Sequence, residues 1–250
     1  MYNLILRTQE LIRDKNTFCD WQVNENKTSV NPEETAIIIV DMWDRHWCTG
    51  ATVRCTAFAP KIDSAVRRAR EKGSLIIHAP SDTGNFYKGS QAVKRFLSVP
   101  ILDNIPSLEI KEYPLPVDSS DGGSDTIQDY SVNTKVWTRQ TEKIYIDEEK
   151  DIIIFGGEND GDMIYSYLKP QNINNIIYMG VHTNMCILGR PFAIKAMLRR
   201  GMNVMLCRDL TDAMYNPEKP PYVSHSEGTR LVIEYIEKFY CPTILSEQIL

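Results

Sequence analysis

The 250-residue chain predicts an α/β fold, a parallel sheet covered by helices on both sides. Short aliphatic and β-branched runs recur along it. They are continuous rather than alternating, as strands buried on both faces require. Helical patterns with their own start and stop residues lie between these runs. Strand–helix units of this length specify parallel pairing with right-handed crossovers.

Taken in order, residues 1–34 form a mixed, polar N-terminal extension expected to wrap the surface. Ala36–Val40 is the first buried strand and ends at Asp41. Pro60 to Lys72 reads as a helix with proline at its start, Ile62, Ala65, Val66 and Ala69 on one face, and Gly73 as its stop. Ser74–His78 is a second strand, running into His78-Ala-Pro-Ser-Asp82, and Ser90 to Leu97 is a shorter helix. Residues 100–137 lack sustained periodicity and contain Asp118-Ser-Ser-Asp121-Gly-Gly-Ser-Asp125. Without a glutamate at the twelfth position this piece reads as solvated turns rather than a calcium loop. The stretch as a whole is a long excursion of the kind that often carries function.

Asp151–Phe155 is the next strand, followed by a helix over Gly161 to Lys169. Ile176–Met179 is another, closed by Gly180. Thr183 or Asn184 can cap a helix running from there through Arg199, with Gly201 as its stop. Asn203–Cys207 is a strand ending at Arg208-Asp209, Ser224 to Tyr240 a helix, and Thr243–Leu245 an edge strand. One domain spans residues 1–250 on this reading.

Composition narrows the partners. Hydrophobic residues make up 42% and charged residues 24%, ordinary for a globular protein, and the net charge of -5 with no basic run weighs against nucleic acid. No apolar segment reaches the roughly 18 residues that span a bilayer. The apolar part of Met1 to Arg7 is too short for a signal peptide, which favours the cytoplasm unless an upstream signal has been removed. The six cysteines lack a CxxC pair and are expected to be reduced thiols.

Ligands of parallel sheets bind beyond the carboxyl ends of the strands. The residues there are Asp41, His78, the Phe155-Gly156-Gly157 segment, the His182 to Cys186 loop and Asp209. Cys186 lies near a helix N-terminus, where amides and the helix dipole lower a thiol's pKa from about 8.5. A nucleophile and an inert core thiol are both open readings at this level.

Apolar-strand-Asp41, the loop Gly180-Val-His-Thr-Asn-Met-Cys186 and a later strand ending in Asp together resemble the isochorismatase-like cysteine hydrolases, which include nicotinamidases. The resemblance covers roughly Thr35 to Ile244. Asp-Met-Trp-Asp-Arg-His-Trp-Cys48 and Cys186-Ile-Leu-Gly-Arg-Pro-Phe192 are similar to a sparsely characterised bacterial subgroup. It implies a three-layer α/β/α fold with a sheet of roughly six parallel strands, and association of identical copies. It also implies a cis peptide between Val181 and His182, which turns the backbone amides of His182 and Cys186 inward as an oxyanion hole. Carried over, Cys186 attacks a small amide or related acyl compound to form an acyl intermediate, and Asp41 shuttles its proton.

Two departures accompany the resemblance. The family's triad lysine belongs near the end of the Asp151 strand, where Phe155 or Gly156 stands, and Lys150 and Lys143 do not align. Arg139, His182 or His46 are the candidate substitutes for its charge. The Asp-x-His metal pair of nicotinamidases is also missing from His78-Ala-Pro-Ser-Asp82. No cofactor is therefore expected, and the donors that could hold a metal are His46, Cys48, His78 and Asp82. Candidates for a substrate pocket are Trp43, His46, Trp47, His78, Asp82, Phe155 and Arg190, with Phe86 and Tyr87 nearby; Arg190 could bind a substrate carboxylate. A catalytically impaired ligand binder and an oligomeric scaffold are the rival functions.

Overall fold

The computed structural model describes residues 1–120, 125–126 and 135–249. The expected turns of Asp121 to Ser124 lie outside them. A single eight-stranded sheet runs through the molecule, with strands β1 (Tyr2–Arg13), β2 (Cys19–Val30), β3 (Thr35–Val40), β4 (Leu75–Ala79), β5 (Ile152–Ile153), β6 (Asn175–Val181), β7 (Asn203–Asp212) and β8 (Thr243–Ile244). Their order is β2-β1-β8-β7-β6-β3-β4-β5. The six from β8 to β5 pair in parallel, and β1 and β2 add an antiparallel hairpin.

The helices are α1 (Thr49–Glu71), α2 (Gln91–Leu97), α3 (Asp160–Leu168), α4 (Cys186–Gly189), α5 (Ile194–Arg199) and α6 (His225–Phe239). Because successive side chains of a strand point to opposite faces, the fully buried β3 feeds two cores. Ile38 and Val40 join Ile77, Tyr178 and Leu206 beneath α3 to α6, while Ile37 and Ile39 join Ile76, Ile177 and Met205 beneath α1. Each fully buried isoleucine of this kind contributes about 2 kcal/mol relative to exposure.

The structure corrects several boundaries. The N-terminal extension does not wrap the surface; it extends the sheet, and β8 is consequently internal, between β7 and β1. Helix α1 begins at Thr49 and carries Pro60 inside it, with the Cys48 thiol accepting from Ala51 N at 3.4 Å at the start. Proline cannot donate to the carbonyl four residues back. That carbonyl, Thr56 O, instead accepts from Lys143 Nζ at 3.5 Å. The helix expected from Asn184 to Arg199 is two, because Pro191 interrupts it after a single turn. Strand β7 runs on past Cys207 to Asp212 through a register shift against β6 between Tyr178 and Gly180. The residues of the shift include Asp209, which is held by Ser246, whose N and Oγ donate to the Asp209 carboxylate at 2.8 and 2.6 Å. Asp212 ends the strand instead.

The excursion from residue 100 crosses α5 and α6 before returning to the carboxyl edge of the sheet. Leu108 N donates to Arg199 O, Glu112 pairs with Lys195 and Arg199, and the Tyr113 ring stacks on Phe239 at 4.0 Å. At its far end Trp137 N donates to Arg45 O, which brings Trp137 against Trp43 with ring centroids 5.6 Å apart. No disulfide joins the six cysteines. No helix among the described residues is long and apolar enough to cross a membrane.

Candidate active site

The loop after β6 sets the centre. Gly180 has φ +108°, and a Cβ there would stand 2.1 Å from Val40 O, so the close approach of β6 to β3 excludes a side chain. The Val181–His182 peptide is cis. Met185 N and Ile187 N both donate to His182 O, and α4 opens at Cys186. The Cys186 N–H thus belongs to the set that a helix start leaves without an intrahelical acceptor. Cys19 is exposed and four other cysteines are buried; Cys186 alone is half-buried, a thiol at the sheet edge with partial access.

Asp41 stands beside it. Its φ of +48° swings the carboxylate back across the edge of the sheet, and the residue is completely buried. Oδ1 accepts from Ser81 N at 2.8 Å. Oδ2 has no well-formed hydrogen bond among the described residues and is left to the Cys186 thiol and the Arg190 guanidinium, whose Nε lies 4.0 Å away. Burial raises the Asp41 pKa to about 6, with Cys186, the Ser81 amide and Arg190 pulling the other way. Burial and the neighbouring carboxylate push the Cys186 thiol up to about 12, against a smaller opposing effect of Arg190. This corrects the expected lowering by the helix dipole: a helix of one turn has little dipole to offer, and burial beside an anion outweighs it.

The remaining candidates are distributed unevenly. Trp43 Nε1 donates to Ser81 O at 2.9 Å, and the rings of Trp43, His46, Trp47 and Trp137 form one aromatic wall. The Phe155 ring stacks on Tyr87 at 6.0 Å and covers Gly84. Asp82 is largely exposed and meets Arg190 Nη2 at 3.4 Å. His78 is taken up in the core instead. It is fully buried, with Nδ1 2.9 Å from Gln140 Oε1 and Nε2 3.0 Å from Asp151 Oδ2. Gln140 Nε2 donates to Ile144 O, which fixes the amide's oxygen toward the histidine. Burial opposes the Asp151 charge, but His78 and Arg70 hold its pKa below the ordinary carboxylate value.

His46 and His182 pack edge to face at 5.1 Å. Burial lowers their pKa values to about 4 and about 3, so both rings are neutral at physiological pH. His46 Nδ1 already accepts from Cys48 N. The four proposed metal donors do not come together as a set: no group of three or more His, Cys, Asp or Glu side chains among the described residues could hold a metal.

Sequence reasoning missed Ser81, whose buried hydroxyl lacks a hydrogen-bond partner among the described residues. Its position just past β4 was the available signal. It also missed Arg54 and Asp212, which gather with His225, read from sequence as a helix-start or surface histidine that could reach the site. There Arg54 bridges Asp212 and Asp125 at 2.8 and 2.6 Å and His225 Nε2 lies 2.9 Å from Asp212. His225 begins α6, as a helix-start residue should.

No family model matches the chain, and no curated protein matches its sequence. Solved structures do. A cysteine hydrolase from Pseudomonas syringae pv. phaseolicola 1448A is similar with a TM-score of 0.54 at 20% identity, over 88% of this chain and 94% of the other. An isochorismatase from Pseudomonas putida KT2440 gives 0.52 at 10% identity, over 90% and 94%. An isochorismatase family protein from Burkholderia thailandensis gives 0.50 at 13%, over 88% and 95%.

Proposed function

We propose that this chain, which has the fold of the isochorismatase-like cysteine hydrolases, hydrolyses a small amide or related acyl compound through a thioester on Cys186. The observation that carries the reading is the buried Asp41 carboxylate beside the Cys186 thiol at the carboxyl edge of the sheet.

The chemistry follows from those two groups. With a pKa near 12 the thiol keeps its proton at rest, whereas Asp41, near 6, is ionised at neutral pH. Asp41 accepts the thiol proton as sulfur bonds to the carbonyl carbon. The carbonyl electrons move onto oxygen, where the amides of His182 and Cys186 donate to the developing anion. Collapse of this intermediate breaks the carbon–nitrogen bond, and Asp41 returns the proton to the leaving amine. Water then adds to the thioester, giving its proton to Asp41; the acid departs, and the proton goes back to sulfur. The aromatic wall of Trp43 and Trp137 suits a small, flat substrate.

One observation favours a second reading, a binder without turnover: the raised thiol pKa in a site with no lysine at 155 or 156. Intact-protein mass spectrometry after incubation with small primary amides and their p-nitrophenyl esters separates the two. Hydrolysis predicts an acyl mass on Cys186, absent from Cys186→Ala, together with released acid. No adduct and no acid across the panel would sink the hydrolase and leave ligand-dependent melting to test the binder.

A further inference from the structure

We propose that Arg190 is the catalytic cation of this site, acting from the nucleophile's own helix in place of a lysine on β5, with Asp82 as the residue that positions it. The proposal rests on the cysteine-hydrolase reading.

Four observations converge on it. Arg190 follows Cys186 by four residues, and its N–H donates to Cys186 O at 3.2 Å. One helical turn therefore stacks the guanidinium over the thiol. Pro191 ends the turn there, so the chain leaves in extended conformation, with Arg190 at φ -61° and ψ 157°. The side chain then reaches back across the edge of the sheet, where Nε lies 4.0 Å from Asp41 Oδ2 and Nη2 3.4 Å from Asp82 Oδ2.

The space it enters is the second observation. Gly156 has φ +80°, and a Cβ there would stand 3.5 Å from Arg190 Nη1 and 3.1 Å from Ser81 Oγ. The bare backbone at the end of β5 is the floor beneath the guanidinium. Phe155, the other residue of the slot, turns its ring onto Tyr87 and Gly84.

The third is elimination among the cations considered from sequence. His46 and His182 are neutral at physiological pH, Arg139 pairs with Glu142 and lies over the Phe86 ring, and Lys143 donates to Thr56 O. The fourth is electrostatic direction. Of the groups acting on Cys186, burial and Asp41 oppose the thiolate, and Arg190 favours it. A guanidinium stays charged even when half-buried, where a lysine's ammonium loses its proton more readily.

The test uses Cys186 acylation by the p-nitrophenyl esters, and Cys186 alkylation by iodoacetamide across the neutral-to-alkaline range. Wild type is compared with Arg190→Gln, Arg190→Lys and Asp82→Asn, each shown folded by circular dichroism. We expect Arg190→Gln to slow acylation by about 100-fold and to move the alkylation profile to higher pH. Arg190→Lys should recover most of both losses, and Asp82→Asn should give a smaller loss of the same kind. Equal rates and unchanged pH profiles in wild type and Arg190→Gln would overturn the assignment while the hydrolase stands. If wild type forms no acyl adduct, the hydrolase reading fails on its own. The alkylation profile then still decides whether Arg190 stabilises the thiolate.

Discussion

Asp41 is an ionisable side chain held where water does not reach, and its stability cost has a definite pH signature. Its folded pKa of about 6 lies above the ordinary carboxylate value. A group raised in this way supports the fold fully below its unfolded pKa, near 4. That support is lost as pH climbs through 6, by about 3 kcal/mol in all. Asp41→Asn should therefore be more stable than wild type at neutral pH and lose the slope between about pH 4 and 6, as chemical denaturation at several pH values will show. It should also be inactive. In wild type kcat/KM should rise with pH through about 6 and then level, because the base works only when ionised. Asp41 and Cys186 were legible in the chain because each follows an apolar strand at a fixed offset. The direction of the thiol's pKa was not, because it depends on how deeply the sulfur sits and on which charge lies across from it. Arg190 was legible only as a cation near the nucleophile that could bind a substrate carboxylate; the proposed role draws on its seat against the Gly156 backbone, a property of two segments far apart in sequence.

At the scale of elements, the β6–α4 connection depends on Gly180. Gly180→Ala drives a Cβ into Val40 O in a backbone conformation that L-residues rarely adopt. It should cost about 3 kcal/mol or more and weaken Cys186 acylation, read by urea unfolding and by the mass assay. Where apolar runs were continuous, as in β3 and β6, the strands were legible. Failures came where local rules met tertiary partners. Pro60 reads as a helix start, yet Lys143, from a distant loop, supplies the donor that the proline withholds, and α1 continues through it. The hairpin of β1 and β2 was hidden for a different reason. Much of it is exposed, so its side chains do not carry the apolar signal by which buried strands announce themselves.

Across the whole molecule, that hairpin is tied to the parallel sheet by the β1–β8 pairing and by one buried acid. Glu237 of α6 accepts from Gln9 Nε2 and Thr243 Oγ1 at 2.8 and 2.6 Å and pairs with Arg7 Nε at 3.4 Å. Arg7→Leu leaves the carboxylate buried without its cation and should destabilise the protein by about 1–3 kcal/mol. Adding Glu237→Gln should restore part of that loss, and thermal unfolding of the two variants decides it. Catalysis should hold, since the hairpin lies at the opposite end of the strand order from β4 and β5. The single turn bearing both Cys186 and Arg190 has a wider consequence. On the proposed assignment, thiol and cation travel as one short cassette of sequence, which asks of the segment after β5 only the bare backbone at Gly156. The excursion of residues 100–137, which supplies neither thiol nor cation, is then free to diverge in length and composition. Chains with this cassette should tolerate exchange of the whole excursion, and grafting excursions between them offers a route to new substrates with the reactive pair untouched.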